Sequence, residues 1–391
     1  MDITISPQKL HGTLTAIPSK SQAHRLLICA AFADKSTTLL CPDTNQDIEA
    51  TADCLRALGA DIQRTETGYF ITPAEEIPIS ATLNCRESGS TLRFLLPIAG
   101  ALGVNASFFL AGRLPQRPLS PLWEEMERMG CKLSRPTETT VLCQGKLRAG
   151  HYTIDGGVSS QFITGLMLAL SLLKEESTLE ITGALESKPY VDMTQQAMVL
   201  FGADPEQLGK FPFRSPGEIA VEGDWSNGAF FLAAIALGSE ITVKNLREDS
   251  CQGDRAITSI LPLLEHGCPT VSAKDIPDLV PILAVVAGAK HGALFTDIRR
   301  LRLKETDRVA TVCAMLSALG AGAVATENTL HIYPASYHGG IIDAANDHRI
   351  AMAGAIAATV ASQPVTIRGA EAVNKSYPKF WEEYARLGGI L

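Results

Sequence analysis

Six strongly apolar, alanine-rich segments punctuate the chain: SKSQAHRLLICAAFA, ESGSTLRFLLPIAGAL, SSQFITGLMLALSLL, DWSNGAFFLAAIALG, IPDLVPILAVVAGA and NDHRIAMAGAIAATVA. Beyond a polar first turn each is apolar on most faces, and such a helix belongs in a core rather than at a surface. A β-rich run follows each one: STTLLCP, VNASFFLAG, STLEITGA, SEITVKNL, GALFTDI and PVTIRGA. A second phrase recurs as LRALGADI, MERMGCKL, MVLFGADP, LLEHGCPT, LSALGAGA and YARLGGIL. It reads as the end of an amphipathic helix capped by a glycine, at positions 59, 130, 202, 267, 320 and 388. The pattern predicts six units of about 65 residues, each a buried helix, a strand, a second helix and further strands. LGA after a helix is common in α/β proteins, so one copy carries no weight; six copies in register with six buried helices do. The fourth unit is the shortest, with only CPTVSAK between Gly267 and Asp275. GAGAVA at 320–325 follows a helix instead of a strand, so it is not a dinucleotide fingerprint.

At 391 residues the chain predicts two or three folding units, and 46% hydrophobic with 19% charged residues fits a compact globular protein. A net charge of −8 and only 6% aromatic residues speak against a nucleic-acid partner. They leave room for a small anion held by a few local cations. Nine scattered cysteines without a CxxC pair and eight isolated histidines offer no metal geometry, so neither metal nor cofactor is expected. Reduced thiols fit a cytoplasmic location. The start, MDITISPQKLHG, lacks the character of a signal peptide, and apolar runs such as Leu279–Ala289 fall short of the roughly 18 residues of a membrane span.

The first turn of a helix carries unpaired N–H groups and the positive end of the macrodipole, which attract anions. In this chain the apolar helices open on Lys20, Ser21 and Arg25; on Gly89, Ser90 and Arg93; on Ser159, Ser160 and Gln161; near Asp278; and on Asp347, His348 and Arg349. If the buried helices of one domain run parallel, these starts meet on one face, and two opposed faces would form a cationic cleft. Capping alone explains a serine such as Ser21 or Ser159. It does not explain Lys20, Arg25, Arg93 and Arg349 beside apolar helices, where charge without a partner is costly to bury. Two more segments add cations. LRLKETDRVAT (301–311) places Lys304 and Arg308 one helical turn apart and by itself reads as a solvated helix face with internal ion pairs. GRLPQRPLSPL (112–122) is a proline-rich loop carrying Arg113 and Arg117, whose guanidinium groups suit bidentate binding of phosphate or carboxylate.

SKSQAHR, ESGSTLRFL, LPQRPLSPL, VSSQF, SKPYVDMT, IPDLVP, LKETDR, NDHRIAM and NKSYPKFW stand in the order found in the EPSP synthase (3-phosphoshikimate 1-carboxyvinyltransferase) family. From about residue 4 to the C-terminus the chain resembles that family. The resemblance implies an α/β fold, a two-domain inside-out α/β barrel of six βαβαββ repeats, three per domain, with buried parallel helices. One domain would comprise 1–17 and 223–391 and hold Asp278, Glu305 and Arg349; the other, 18–222, would hold most contacts to the shikimate phosphate. It implies that 3-phosphoshikimate is held by Lys20, Ser21, Arg25, Ser159, Ser160, Gln161, Ser187, Asp278 and Lys304. Phosphoenolpyruvate would be held by Lys20, Gly89, Arg117, Gln161, Arg308, Arg349 and Lys375. Asp278 would take the proton of the substrate 5-hydroxyl as it attacks C2 of phosphoenolpyruvate; Glu305, with Lys20 as the alternative or partner, would protonate C3. Addition followed by loss of phosphate would give the enol ether. The two small molecules would be the only partners of a monomer, and closure of the domains on the first ligand is expected.

Three positions depart from the family pattern. Glu87 and Ser88 precede Gly89 where Asn-Ala often stands, and Arg300 takes a place where an Asn often touches the shikimate phosphate. The sister family that uses UDP-N-acetylglucosamine carries a Cys in the loop matching 111–121, and none occurs here. A non-catalytic relic of the fold would have lost Asp278, Glu305 or Lys20, and all three are present.

Overall fold

The computed structural model describes residues 1–391. It contains twelve α-helices: α1 (Lys20–Ala31), α2 (Gln46–Ala57), α3 (Gly89–Leu102), α4 (Leu122–Arg128), α5 (Ser160–Ser171), α6 (Lys188–Leu200), α7 (Trp225–Ala236), α8 (Ile257–His266), α9 (Val280–Ala289), α10 (Arg308–Ala318), α11 (His348–Ala358) and α12 (Phe380–Arg386). The odd-numbered helices are the six apolar segments, and each runs into a strand: 37–40, 105–110, 178–182, 240–244, 293–296 and 365–368. No helix is long and apolar enough to cross a membrane.

The fold is mixed α/β and divides into two compact units, Pro18–Val221 and Met1–Ile17 with Glu222–Leu391. In Pro18–Val221 one sheet takes strands 218–220, 37–40, 68–72 and 61–64 in that order, and a second takes 80–86, 105–110, 140–145 and 131–137. A parallel pair, 151–155 with 178–182, completes the unit. The other unit has a sheet of 2–5, 365–368 and 340–343, a parallel pair of 240–244 with 11–15, and a sheet of 270–272, 293–296, 329–332 and 323–325. Each unit has its own core, built around α1, α3 and α5 in one and α7, α9 and α11 in the other. Every residue of α9 from Val280 to Gly288 is buried, as its lack of a polar face requires.

The capping phrases hold at five of six positions. Gly59, Gly130, Gly202, Gly320 and Gly388 have φ between 70° and 116°, the left-handed region that favours glycine after a helix. Gly267 is extended instead, at φ 174°. Pro269 disfavours helical backbone at Cys268, and the chain runs from α8 straight into the short strand Thr270–Ser272.

One packing detail carries directly into the site. Pro97 lies inside α3 and has no N–H to give to the carbonyl of Arg93 one turn back. Gly165 of α5 closes on that carbonyl so tightly that a Cβ on it would stand 2.2 Å from the Arg93 oxygen. The two helices approach closely there, and Gln161, one turn before Gly165, comes within reach of Arg93.

Candidate active site

In the unit containing Glu222–Leu391, the carboxylates and cations of three sequence motifs join in one cluster. The expectation of a solvated helix face at 301–311 is overturned. Arg299–Leu303 form a 3-10 turn, Asp307 caps α10 by accepting from the amides of Val309 and Ala310 at 3.1 Å, and residues 304–306 lie between these elements. Lys304 and Arg308 therefore do not share a helix. Arg308 starts α10 pointing inward, with its side chain 1% exposed. Its Nε donates to Asp347 (2.8 Å), its Nη1 to Asp278 (2.6 Å) and its Nη2 to Glu305. Arg349 donates to the other Asp278 oxygen at 3.0 Å and to the Asp278 carbonyl at 3.2 Å, and Lys304 Nζ lies 3.4 Å from Asp278.

Asp278 thus faces three cations. Burial alone would push its carboxyl up, but Arg349, Lys304 and Arg308 outweigh it and hold it well below the ordinary carboxylate range. Burial pulls Lys304 down to about 8; Arg308 and Arg300 act in the same direction, against Asp278 and Glu305. Asp254, buried beside the start of α7, is pushed up to about 6 by burial and then by the charge of Asp278. Asp347 is fully buried, caps α11 through the Arg349 amide at 2.9 Å, and so ties Arg308 to that helix start. The two residues before it, Ala345 and Asn346, adopt left-handed φ of 50° and 60°, a conformation costly for side chains with a Cβ. That turn presents the Asn346 carbonyl to Lys375 Nζ at 2.7 Å.

In Pro18–Val221 the second group gathers at the start of α3. A Cβ on Gly89 would stand 2.6 Å from Nη1 of both Arg93 and Arg117, so two guanidinium groups close on this one position. Arg93 donates to Gln161 Oε1 (3.0 Å) and to the Pro118 carbonyl (3.1 Å), and Gln161 Nε2 donates to Ser90 (3.0 Å). Glu87 packs against Gly112, whose left-handed φ of 56° and missing Cβ make room for the carboxylate.

The other expected residues fall around α1, α5 and α6. Lys20 pairs with Asp47 at 2.8 Å, so its partner is a carboxylate. Arg25, fully buried, donates to the hydroxyls of Thr194 (2.8 Å) and Thr164 (3.2 Å) and to the carbonyls of Ser21 (2.6 Å) and Tyr190 (2.9 Å). These four acceptors are neutral. Ser159 caps α5, accepting from Gln161 N, and Ser160 is buried in its first turn. Ser21 caps nothing, because Ser19 does so for α1. Ser187 is buried before α6 at a left-handed φ of 55°. Sequence reasoning missed Asp47, Thr164 and Thr194 as partners, and it placed Arg93 among the cations of the cleft without assigning it to either substrate. Nothing near them in the chain signals contacts made across 27 to 169 residues. No three His, Cys, Asp or Glu side chains are grouped as ligands for a metal ion.

The mixed α/β fold is similar to that of solved enolpyruvyl transferases. EPSP synthase from Acinetobacter baumannii superposes with TM-score 0.78 at 21% identity, covering 99% of this chain and 98% of that one. An enolpyruvyl transferase from Streptomyces tendae gives 0.76 at 17%, covering 100% and 97%. The family model for EPSP synthase (3-phosphoshikimate 1-carboxyvinyltransferase) matches residues 5–384, and the chain belongs to that transferase family. The 3-phosphoshikimate 1-carboxyvinyltransferases of Clostridium kluyveri and Clostridium novyi are 38% and 37% identical to it, each over 100% of this chain and 98% of the relative.

Proposed function

We propose that the protein transfers the enolpyruvyl group of phosphoenolpyruvate to the 5-hydroxyl of 3-phosphoshikimate. Phosphate and 5-enolpyruvylshikimate 3-phosphate are the products, and the reaction serves the shikimate pathway of aromatic amino acid biosynthesis. The observation that carries this reading is Asp278 held at once by Arg308, Arg349 and Lys304. A carboxylate so held is a feeble base. Binding of phosphoenolpyruvate to Arg308, Arg349 and Lys375, and of 3-phosphoshikimate to Lys304, gives those cations other anions to neutralise. Asp278 then regains basicity when both substrates are present and takes the hydroxyl proton as the oxygen bonds to C2. Glu305 protonates C3, and loss of phosphate from C2 with a C3 proton completes the exchange.

In this reading Gly89, Arg117 and Gln161 hold phosphoenolpyruvate with Lys20, while Ser21, Arg25, Ser159, Ser160, Gln161 and Ser187 hold 3-phosphoshikimate. The finer architecture is an inside-out barrel of six βαβαββ repeats, three in 18–222 and three in 1–17 with 223–391. Its support is the alternation of buried and amphipathic helices and the three sheets of each compact unit. The protein acts as a cytoplasmic monomer without cofactor, metal or nucleic acid. The test is phosphate release from phosphoenolpyruvate without added metal, with 3-phosphoshikimate or UDP-N-acetylglucosamine as acceptor. Release with 3-phosphoshikimate alone supports the proposal; release only with the sugar nucleotide, or with neither, sinks it.

Two variants of conditions follow from the geometry. Lys304 binds a phosphate only while protonated, and it loses its proton near pH 8. The KM for 3-phosphoshikimate should therefore rise with pH above about 8, approaching tenfold per unit in the limit of one essential proton. Lys304→Arg, which keeps its charge, should flatten that limb; an unchanged limb would assign it to another group. Gly89→Ala forces its methyl against the guanidinium ends of Arg93 and Arg117. The fold should survive and the KM for phosphoenolpyruvate should rise at least tenfold, as steady-state kinetics with each substrate varied would show.

A further inference from the structure

A line of polar groups crosses the core of Pro18–Val221 between three helices, and none of its members has a role in the reaction as proposed. His24 Nδ1 lies 2.7 Å from Thr51 Oγ1, Thr51 Oγ1 lies 2.7 Å from Thr91 Oγ1, and Thr91 Oγ1 donates to Ser88 Oγ at 2.7 Å. All four residues are fully buried. Each hydroxyl has one proton, so the direction of the whole line follows from its last bond. Thr91 donates to Ser88, hence Thr51 donates to Thr91, and His24 donates to Thr51 from Nδ1. His24 is therefore the Nδ1–H tautomer, and its Nε2 is a buried acceptor without a hydrogen-bond partner. Burial, then the charges of Lys20 and Arg25, hold the imidazole well below its ordinary range, so it stays neutral.

The line is tied at both ends to residues assigned to the substrates. His24 lies one turn beyond Lys20 on α1, and Thr51 one turn beyond Asp47 on α2. Lys20–Asp47 (2.8 Å) and His24–Thr51 (2.7 Å) are thus two rungs between the same pair of helices. At the other end Ser88 caps α3, and its Oγ accepts from the Thr91 amide (3.2 Å) as well as from the Thr91 hydroxyl. Gly89 and Ser90 follow directly, ahead of the first intrahelical bond from Leu92 N to Ser88 O. His24 also meets Phe94 of α3 edge-on, with ring centroids 6.2 Å apart.

Stability alone does not call for such a line. Valines at 51 and 91 with an apolar residue at 24 would fill much of the same space, and replacing both partners of a buried hydrogen bond by apolar groups is often nearly neutral. What hydroxyls supply and methyl groups do not is direction, which fixes one helix start against another. We propose that Thr51 and Thr91, with His24, are positioning residues that set the first turn of α3, and with it Gly89 and Ser90, for phosphoenolpyruvate. The inference rests on the reading of Gly89 given above.

The test is steady-state kinetics of Thr51→Val, Thr51→Ser and Thr91→Val beside the unaltered protein, each substrate varied in turn, with thermal unfolding of each. Thr51→Val should raise the KM for phosphoenolpyruvate about tenfold and move that for 3-phosphoshikimate by less than about twofold. Thr51→Ser should restore both, because it restores the hydroxyl. Thr91→Val breaks the line one link further on and must show the same split. Equal shifts in the two KM values, or no shift in either, overturn the proposal. So does loss of folding in both valine variants while Thr51→Ser folds, which makes the line purely structural. If the unaltered protein itself releases no phosphate, the proposed reaction falls and takes this inference with it; normal turnover with no split removes the inference alone.

Discussion

Asp278→Asn should lower kcat about 10²- to 10⁴-fold, the range that a positioned general base contributes. Asparagine has nearly the same shape, and its one carbonyl oxygen can accept from Arg308 or from Arg349 while its amide nitrogen turns to the other, so the cluster keeps its packing but loses one bond and the group that takes the proton. Binding should be affected far less. With the charge of Asp278 gone, Arg308, Arg349 and Lys304 attract anionic ligands at least as strongly, and neither substrate KM should rise more than a few-fold. Single-turnover phosphate release with both substrates saturating measures the effect. Turnover within tenfold of the unaltered protein would remove Asp278 as the base.

Arg308→Met is expected to show the largest loss of stability. Methionine approximates the length of the side chain but leaves Asp347, which is fully buried, without its guanidinium, and Asp278 and Glu305 lose one partner each. Removing one member of a buried ion pair costs about 3–5 kcal/mol, because the charge left behind is not solvated. Denaturant unfolding at pH 7 would show it. The loss should also depend on pH. Asp278 is held below its ordinary value, so its contribution to stability is full at neutral pH and falls away as acid protonates it in both folded and unfolded chains. The gap between the two proteins should therefore be widest near neutrality and narrow toward pH 3. A variant as stable as its parent at pH 7 would mean that the three carboxylates are solvated, contrary to the burial of Asp347.

Much of the local structure was legible along the chain. The segments from SKSQAHR to NDHRIAM are helical because they are apolar on nearly every face, and the phrases ending at Gly59, Gly130, Gly202, Gly320 and Gly388 stop helices through a left-handed backbone. Where local reading failed, packing overrode it. KETDR resembles a surface helix with internal ion pairs, because Lys304, Glu305 and Arg308 have the right spacing. The structure instead breaks the chain before Arg308 and turns its guanidinium inward, where Asp347 lies 39 residues away. Gly267 carries the capping phrase but stays extended, and the chain runs on past Cys268 and Pro269 into the strand Thr270–Ser272.

Composition, apolar periodicity and capping residues determined where the helices lie, which of them are buried, and which charged residues stand at their starts. These depend on interactions within a few residues, and a single chain records them directly. Only the tertiary structure decided which carboxylate answers which cation. It chose Asp47 for Lys20, Asp278 and Asp347 for Arg308, neutral hydroxyls for Arg25, and it drew Arg93 and Arg117 together over Gly89. Those choices are made by helices and loops tens of residues apart coming into contact. Their energies lie in desolvation and in distances of about 3 Å, which the order of residues along a chain does not contain.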